Sequence, residues 1–196
     1  MSRPVDEAAR ADASEPAWSR RLISELAAAD ARATSLAQGL TSQQLNWRAR
    51  PGEWSIGQCL EHLWIANQVY LPAIAASLVD RPRGKAAEIT PGWFGRWFIR
   101  SYIEPSADTK RAKAPKKIAP SAEVDPAILD RFLESNQRAR ELVVRAADYD
   151  VNRIRFKNPF IPVIWFTVGT GFEITSSHER RHLLQAERVR ASGGFP

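Results

Sequence analysis

The chain has 196 residues, of which 44% are apolar and 26% charged, which indicates one globular domain with a sizeable core. Its single cysteine, Cys59, excludes an intrachain disulfide and is compatible with a reducing cytosol. The uncharged stretch of residues 158–172 is interrupted by prolines and is too short to span a membrane, and the N-terminus lacks the apolar run of a secretory signal. We therefore expect a cytoplasmic protein without a membrane partner, with residues 1–14 flexible.

Much of the net charge of +6 comes from one basic segment, residues 110–117. Such a segment could contact nucleic acid, or it could be a solvated loop that opposes self-association. No aromatic side chain is interleaved with these lysines and arginines for base stacking. We therefore prefer the solvated loop, and nucleic acid is not an expected partner.

The first half of the chain predicts two long helices. Apolar residues recur at spacings of three or four over residues 16–38, and Gly39 can end this helix. A capping-box pattern at residues 41–44 predicts a short helical turn, and a second one at residues 55–58 predicts the start of the next long helix. That helix should end before Asp80.

The second half predicts an insertion followed by two more long helices. The insertion spans residues 80–125 and contains a short aromatic helix at residues 92–102. The third long helix, residues 126–148, begins with an aspartate-proline pair in the N-cap and first positions. A loop over residues 149–164 leads to the fourth helix at residues 165–191.

These elements predict an all-α protein, an antiparallel four-helix bundle forming one domain over residues 1–196. Little of the sequence favours strands. The insertion between the second and third helices carries four aromatic residues that could roof a cleft or plug the side of the bundle, and we prefer the plug. They are Trp93, Phe94, Trp97 and Phe98.

The last predicted helix contains the sequence HERRH, from His178 to His182, which has the H-E-x-x-H form of zinc metalloproteases. Residues four apart lie on one helix face, so both imidazoles can reach one metal ion. Ile174, Gln185 and Val189 share this face, which should point into the bundle. Alternatively, the two histidines are polar residues of a hydrated helix seam.

A zinc protease needs a third protein ligand, and the sequence lacks the ligand that either common protease form uses. The glycine and third histidine of one protease form do not follow His182. The other form uses a glutamate on a later helix, but Glu187 belongs to the same helix and points nearly opposite the histidines.

His62 is the remaining histidine and lies one to two turns into the second long helix, near the edge of its apolar face. A bundle could bring it opposite His178 and His182. Three neutral imidazoles would bind Zn²⁺, Ni²⁺ or Fe²⁺ and leave positions open for water or substrate. Considered on its own, a histidine in this position is more often a hydrogen-bonded core residue than a metal ligand.

Two motifs in this order, WSIGQCLEHL at residues 54–63 and SHERRHLLQ at residues 177–185, resemble the DinB/YfiT-like superfamily of metal-dependent bacterial enzymes. The resemblance spans about residues 20–190. It includes the approach to the second helix, made by Trp47, Pro51, Gly52, Trp54 and Ser55.

The resemblance implies a four-helix bundle in which His62, His178 and His182 hold a divalent metal in a cleft. It also implies an enzyme that acts on a small molecule. Some relatives look like thiol-dependent transferases, so transfer of a low-molecular-weight thiol is the first expectation and hydrolysis the second. The alternative is a non-catalytic metal- or ligand-binding stress-response protein, because the cleft face offers no clear general acid or base. Bundles of this kind often form homodimers.

Three further residues are minor candidates. Gln185, one turn after His182, could orient a ligand or water. Glu179 could act in catalysis, but we expect a solvated side chain paired with nearby arginines. Cys59 could be a nucleophile, but its position on an apolar helix face predicts core packing.

Overall fold

The computed structural model describes residues 15–104 and 116–196, and its main elements are helices. In chain order the helices are α1 (Ala17–Ala37), α2 (Ser42–Asn46), α3 (Ile56–Ser77), α4 (Trp93–Phe98), α5 (Ile128–Ala146) and α6 (Val168–Arg190). A π-helical turn (Ile99–Ile103) continues α4, and a 3₁₀ turn (Lys116–Ile118) precedes α5. Two short strands, β1 (Arg155–Lys157) and β2 (Trp165–Thr167), pair antiparallel before α6.

The four long helices α1, α3, α5 and α6 form a bundle, which confirms the predicted fold. Helices α5 and α6 each pack against both α1 and α3, so that α1 and α3 lie mainly across the bundle from each other. Among the described residues, none of the helices combines the length and the apolarity that crossing a bilayer requires.

The bundle core consists of two apolar clusters with a polar layer between them. One cluster includes Leu22, Ile74 and Phe172, and the other includes Leu60 and Leu183. Where the two clusters meet along α3, α5 and α6 lie buried polar residues, which are His62, Asn67, Ser135, Asn136, Ser177, Glu179 and His182. Because buried polar groups need partners, this layer is the part of the core in which a specific site can form.

A capping box fixes the start of α3, as predicted. The Ser55 hydroxyl accepts a hydrogen bond from the Gln58 backbone N–H at 3.1 Å, and the Gln58 side chain accepts one from the Ser55 N–H at 3.2 Å. Thr41 and Gln44 form the same motif at the start of α2. The cap at Ser55 is fully buried and therefore cannot be replaced by water.

We expect Ser55→Ala to lower the free energy of unfolding by about 1–2 kcal/mol, because a buried helix N-terminus loses its cap. Urea unfolding of the purified variant measures this change. Thr41→Ala is the matched control at a solvent-exposed capping box and should cost less. Equal losses in the two variants would contradict the importance of burial at Ser55.

Two predicted helix starts are wrong. Helix α5 begins at Ile128, because Asp125 is used in a turn in which its carboxylate accepts a hydrogen bond from the Ala127 N–H at 2.9 Å. Helix α6 begins at Val168, because the preceding residues form β2, with Phe166 opposite Phe156 of β1. Three-residue strands are too short to produce a recognisable alternation in the sequence.

The aromatic helix α4 lies where the insertion meets the bundle. Phe94 and Phe98 pack on Phe166, and their ring centroids lie 6.0 Å and 5.3 Å, respectively, from that of Phe166. A Cβ atom on Gly95 would lie 2.9 Å from the Thr170 side chain, so a glycine permits the close approach of α4 to α6. Most of the basic segment 110–117 lies outside the described residues, and its last two lysines are exposed.

Candidate metal centre

The three histidines meet in the polar layer of the bundle. His178 and His182 face α3 from α6, and His62 faces them from α3. One ring nitrogen from each of the three residues lies within 4.8 Å of the other two, and the Nε2 atoms of His62 and His178 are 3.0 Å apart. The structure thus brings together the three residues that the sequence selected.

Hydrogen bonds at the Nδ1 atoms of His62 and His182 fix the tautomers of these two rings. His62 Nδ1 lies 2.7 Å from the carbonyl oxygen of Ile118, which can only accept a hydrogen bond, so Nδ1 carries the proton. His182 Nδ1 lies 3.1 Å from the Gln185 Oε1 atom and donates to it in the same way. In both residues the Nε2 lone pair is therefore left for the centre.

All three imidazoles are neutral at neutral pH. Burial lowers the pKa of His62, and the nearby Arg181 guanidinium lowers it further. Burial also holds the pKa values of His178 and His182 well below the ordinary range, with further lowering by neighbouring histidines and Arg181. A neutral imidazole offers the lone pair that a metal ion needs.

This donor set fits a divalent cation. Two nitrogens that bind one ion at about 2.0–2.1 Å lie about 2.8–3.0 Å apart at a right angle and about 3.3–3.4 Å apart at a tetrahedral angle, and the 3.0 Å between the His62 and His178 Nε2 atoms falls within these limits. Among the described residues, no carboxylate or thiol joins the cluster. Three nitrogen ligands with the fourth position open are typical of catalytic zinc sites, whereas structural sites are closed.

The segment after the 3₁₀ turn is fastened to α3 beside the centre. Besides the His62–Ile118 contact, Gln58 Nε2 donates to the Ser121 carbonyl oxygen at 2.7 Å. The Glu61 carboxylate accepts from the Ser121 N–H at 2.6 Å and from its hydroxyl at 3.0 Å. Neighbouring residues of α3 therefore hold both the centre and this segment.

The histidines line a cavity of about 1500 Å³. Trp54 covers two of the rings, with centroid distances of 4.8 Å to His62 and 5.4 Å to His182. Three of the four insertion aromatics line the cavity together with Tyr102, and they are Phe94, Trp97 and Phe98. Trp93 is 75% exposed. Since Phe94 and Phe98 also pack on Phe166, the aromatic helix both covers the bundle side and forms a wall of the cavity.

The expectation that Glu179 is solvated is wrong. Only 1% of its surface is exposed, and the Asn136 side-chain amide donates to its Oε2 atom at 3.1 Å. Its Oε1 atom has no hydrogen-bond partner among the described residues, and burial raises the pKa of Glu179 to about 8. Glu179 faces Asn136 within the polar layer and is not one of the residues that line the cavity. Its angular position on α6 does not reveal this contact, because Asn136 belongs to α5.

The other two minor candidates have distinct positions. Gln185 lines the cavity and holds His182. Cys59 is fully buried in the second apolar cluster, as predicted, and burial raises the pKa of its thiol. Sequence reasoning missed the contributions of Ile118 and Arg181, since a backbone carbonyl has no sequence signal and an arginine in a charged helix is unremarkable.

Fold and site together define a four-helix-bundle protein with a three-histidine centre in its polar layer. A family model for the DinB superfamily matches residues 25–186, and the chain belongs to this superfamily. A solved structure with a similar fold is YfiT from Bacillus subtilis, described as a probable metal-dependent hydrolase with an unusual four-helix bundle topology. It matches with a TM-score of 0.58 and 18% identity over 91% of this chain and 89% of YfiT. No curated protein sequence matches this chain.

Proposed function

We propose that this protein is a metal-dependent enzyme that acts on a small molecule, with His62, His178 and His182 as the ligands of Zn²⁺, Ni²⁺ or Fe²⁺. The observation that carries the proposal is the convergence of three neutral imidazoles in the wall of a large cavity. A bound divalent cation supplies Lewis acidity, which lowers the pKa of a coordinated water or thiol.

The residues of the chain itself have separate roles in this proposal. Ile118 and Gln185 hold the rings of His62 and His182 in the tautomer that leaves Nε2 free. Trp54 covers these rings and limits the access of water from one side. The aromatic wall formed with Phe98 accepts the apolar part of a substrate.

Hydrolysis is the reaction that we propose first, because YfiT is described as a probable metal-dependent hydrolase. Transfer of a low-molecular-weight thiol is the alternative within the same site. Cys59 is buried in the core, so such a thiol would come from outside the chain. Among the described cavity residues Glu53 is the one carboxylate, which leaves little general acid-base chemistry to the protein.

The test is elemental analysis of the purified protein, followed by assays of metal-loaded samples. We expect near-stoichiometric Zn, Ni or Fe, together with hydrolysis of an ester, amide or phosphoester panel or thiol consumption with an electrophile panel. Protein that contains no metal and takes up none of these ions when folded would overturn the proposal. Stoichiometric metal without turnover on either panel would favour the non-catalytic binding protein.

We expect Gln185→Leu to lower the affinity for Zn²⁺ by about 10–100-fold, because His182 loses the hydrogen bond that fixes its tautomer and ring orientation. Competition with a chromophoric chelator measures the affinity. Glu187→Gln is the matched control, since Glu187 lies on the same helix but pairs with Arg32. An unchanged affinity in Gln185→Leu would contradict this role.

A further inference from the structure

The two arginines inside HERRH have different surroundings. Arg180 forms an ion pair with Glu25 of α1 at 3.0 Å and also donates to Ser177. Arg181 lines the cavity and donates to the Tyr102 carbonyl oxygen, and no carboxylate among the described residues pairs with it. Adjacent residues of one helix thus provide one compensated and one uncompensated guanidinium.

Arg181 lies in the cavity beside the three-histidine centre, where its charge can act on a bound ligand. The side chain is half-buried, and among the described residues no carboxylate forms an ion pair with it. Arg181 directly precedes His182 on α6 and lines the same cavity as all three histidines, so a ligand in this cavity can contact both the guanidinium and the centre. Removing a charge from water is costly unless it is paired, so a partner from the cavity would offset this cost.

The rest of the cavity continues this positive character. Arg188 follows Arg181 by two helical turns on the same face, and both line the cavity together with Arg50. Neither Arg50 nor Arg188 has an ion pair within residues 15–104 and 116–196, and Glu53 is the one carboxylate among the described residues that line the cavity. The aromatic wall meanwhile offers apolar surface to the body of a ligand.

We propose that Arg181 binds a carboxylate of the small molecule that reacts at the three-histidine centre. This inference rests on the proposed function and specifies its substrate class as a small organic acid with an apolar body. The planar guanidinium can hold a carboxylate in a fixed orientation, and the arginines farther along the face would attract the anion into the cavity.

The test compares carboxylates with their neutral amides by isothermal titration calorimetry. The three pairs are benzoate and benzamide, phenylacetate and phenylacetamide, and 4-phenylbutyrate and 4-phenylbutyramide. For at least one pair we expect the wild-type protein to bind the carboxylate about 10–100-fold more tightly, as for a hydrogen bond to a charged group. In Arg181→Gln this preference should fall to within about threefold, with amide binding unchanged.

Two variants separate this effect from general electrostatics and from misfolding. Arg180→Gln removes the neighbouring charge and should keep the wild-type preference, because Arg180 faces Glu25 rather than the cavity. Arg181→Lys keeps the charge but loses the planar fork and should show an intermediate preference. Thermal unfolding of each variant establishes that it is folded.

Several outcomes would overturn the proposal. These are a wild-type protein without preference in any pair, a preference that survives Arg181→Gln, and an equal loss in Arg180→Gln. A carboxylate bound by the metal would behave differently, because its preference would survive Arg181→Gln and disappear in His178→Ala. Metal content and metal uptake are measured for every sample, so a folded protein that takes up no Zn²⁺, Ni²⁺ or Fe²⁺ but keeps an Arg181-dependent preference would overturn the proposed function but not the anion site.

Discussion

Replacing His178 by alanine is expected to lower the affinity of the protein for Zn²⁺ by about a hundredfold to a thousandfold. Apparent binding free energies of protein zinc sites are about 10–16 kcal/mol for four ligands, so one ligand contributes about 2.5–4 kcal/mol. The Nε2 atom of His178 lies 3.0 Å from that of His62, and among the described residues no other metal-binding side chain belongs to the cluster to replace it. The same order of loss is expected for His62→Ala and His182→Ala.

Elemental analysis and chelator competition measure this loss, and a Zn²⁺-dependent rise in the melting temperature provides a second readout. Glu187→Gln, on the opposite side of the same helix, should bind metal like the wild type. A variant lacking one histidine that still bound Zn²⁺ with wild-type affinity would show that the centre does not use that residue.

Replacing Glu179 by glutamine is expected to make the protein more stable at high pH but not at low pH. Glutamine has the shape of the protonated acid and keeps the Asn136 contact, and it places an amide where Oε1 already lacks a partner among the described residues. At pH 5 the variant and the wild type should therefore unfold with similar free energies.

The pH dependence follows from the pKa of Glu179, which is raised from 4.5 in the unfolded chain to about 8 in the folded protein. Between these values the folded state holds a proton that the unfolded chain has released, so wild-type stability falls as the pH rises. Over this pH range the free energy of unfolding of Glu179→Gln, relative to that of the wild type, should increase by about 3–5 kcal/mol. Urea unfolding from pH 5 to pH 8.5 measures it.

Glu173→Gln is the control for this prediction, because Glu173 lies on the same helix and its partly exposed carboxylate pairs with Arg21. Its free-energy difference from the wild type should not grow with pH in the same direction. A constant difference between Glu179→Gln and the wild type across this pH range would show that the carboxyl group titrates normally.

Local sequence signals predicted the fold and the histidine cluster well, since both depend on helical periodicity and on capping boxes. Ser55 fixes the start of α3 and hence the angular position of His62, and the i, i+4 spacing fixes His178 relative to His182. These signals act within one helix, and a bundle has few ways to combine four amphipathic faces.

What the sequence did not reveal depends on contacts between distant segments. The burial of Glu179 is decided by Asn136 on α5, and the tautomer of His62 is decided by the carbonyl group of Ile118. The difference between Arg180 and Arg181 follows from where Glu25 lies on α1. Each of these facts needs the packing of the helices before it can be known.

The fastening of the Ile118–Ser121 segment to α3 makes it an energetic partner of the metal centre. The hydrogen bond from His62 Nδ1 to the Ile118 carbonyl oxygen both orders the imidazole and anchors the backbone of the segment. The ordering of the ring and the anchoring of the segment are therefore energetically coupled. A ligand that holds the His62 ring in place therefore raises the free energy of local opening of this segment. Conversely, anchoring the segment raises the affinity of the centre for that ligand. Thermodynamic reciprocity thus links the ordering of a connection between two helices to the occupancy of the bundle interior.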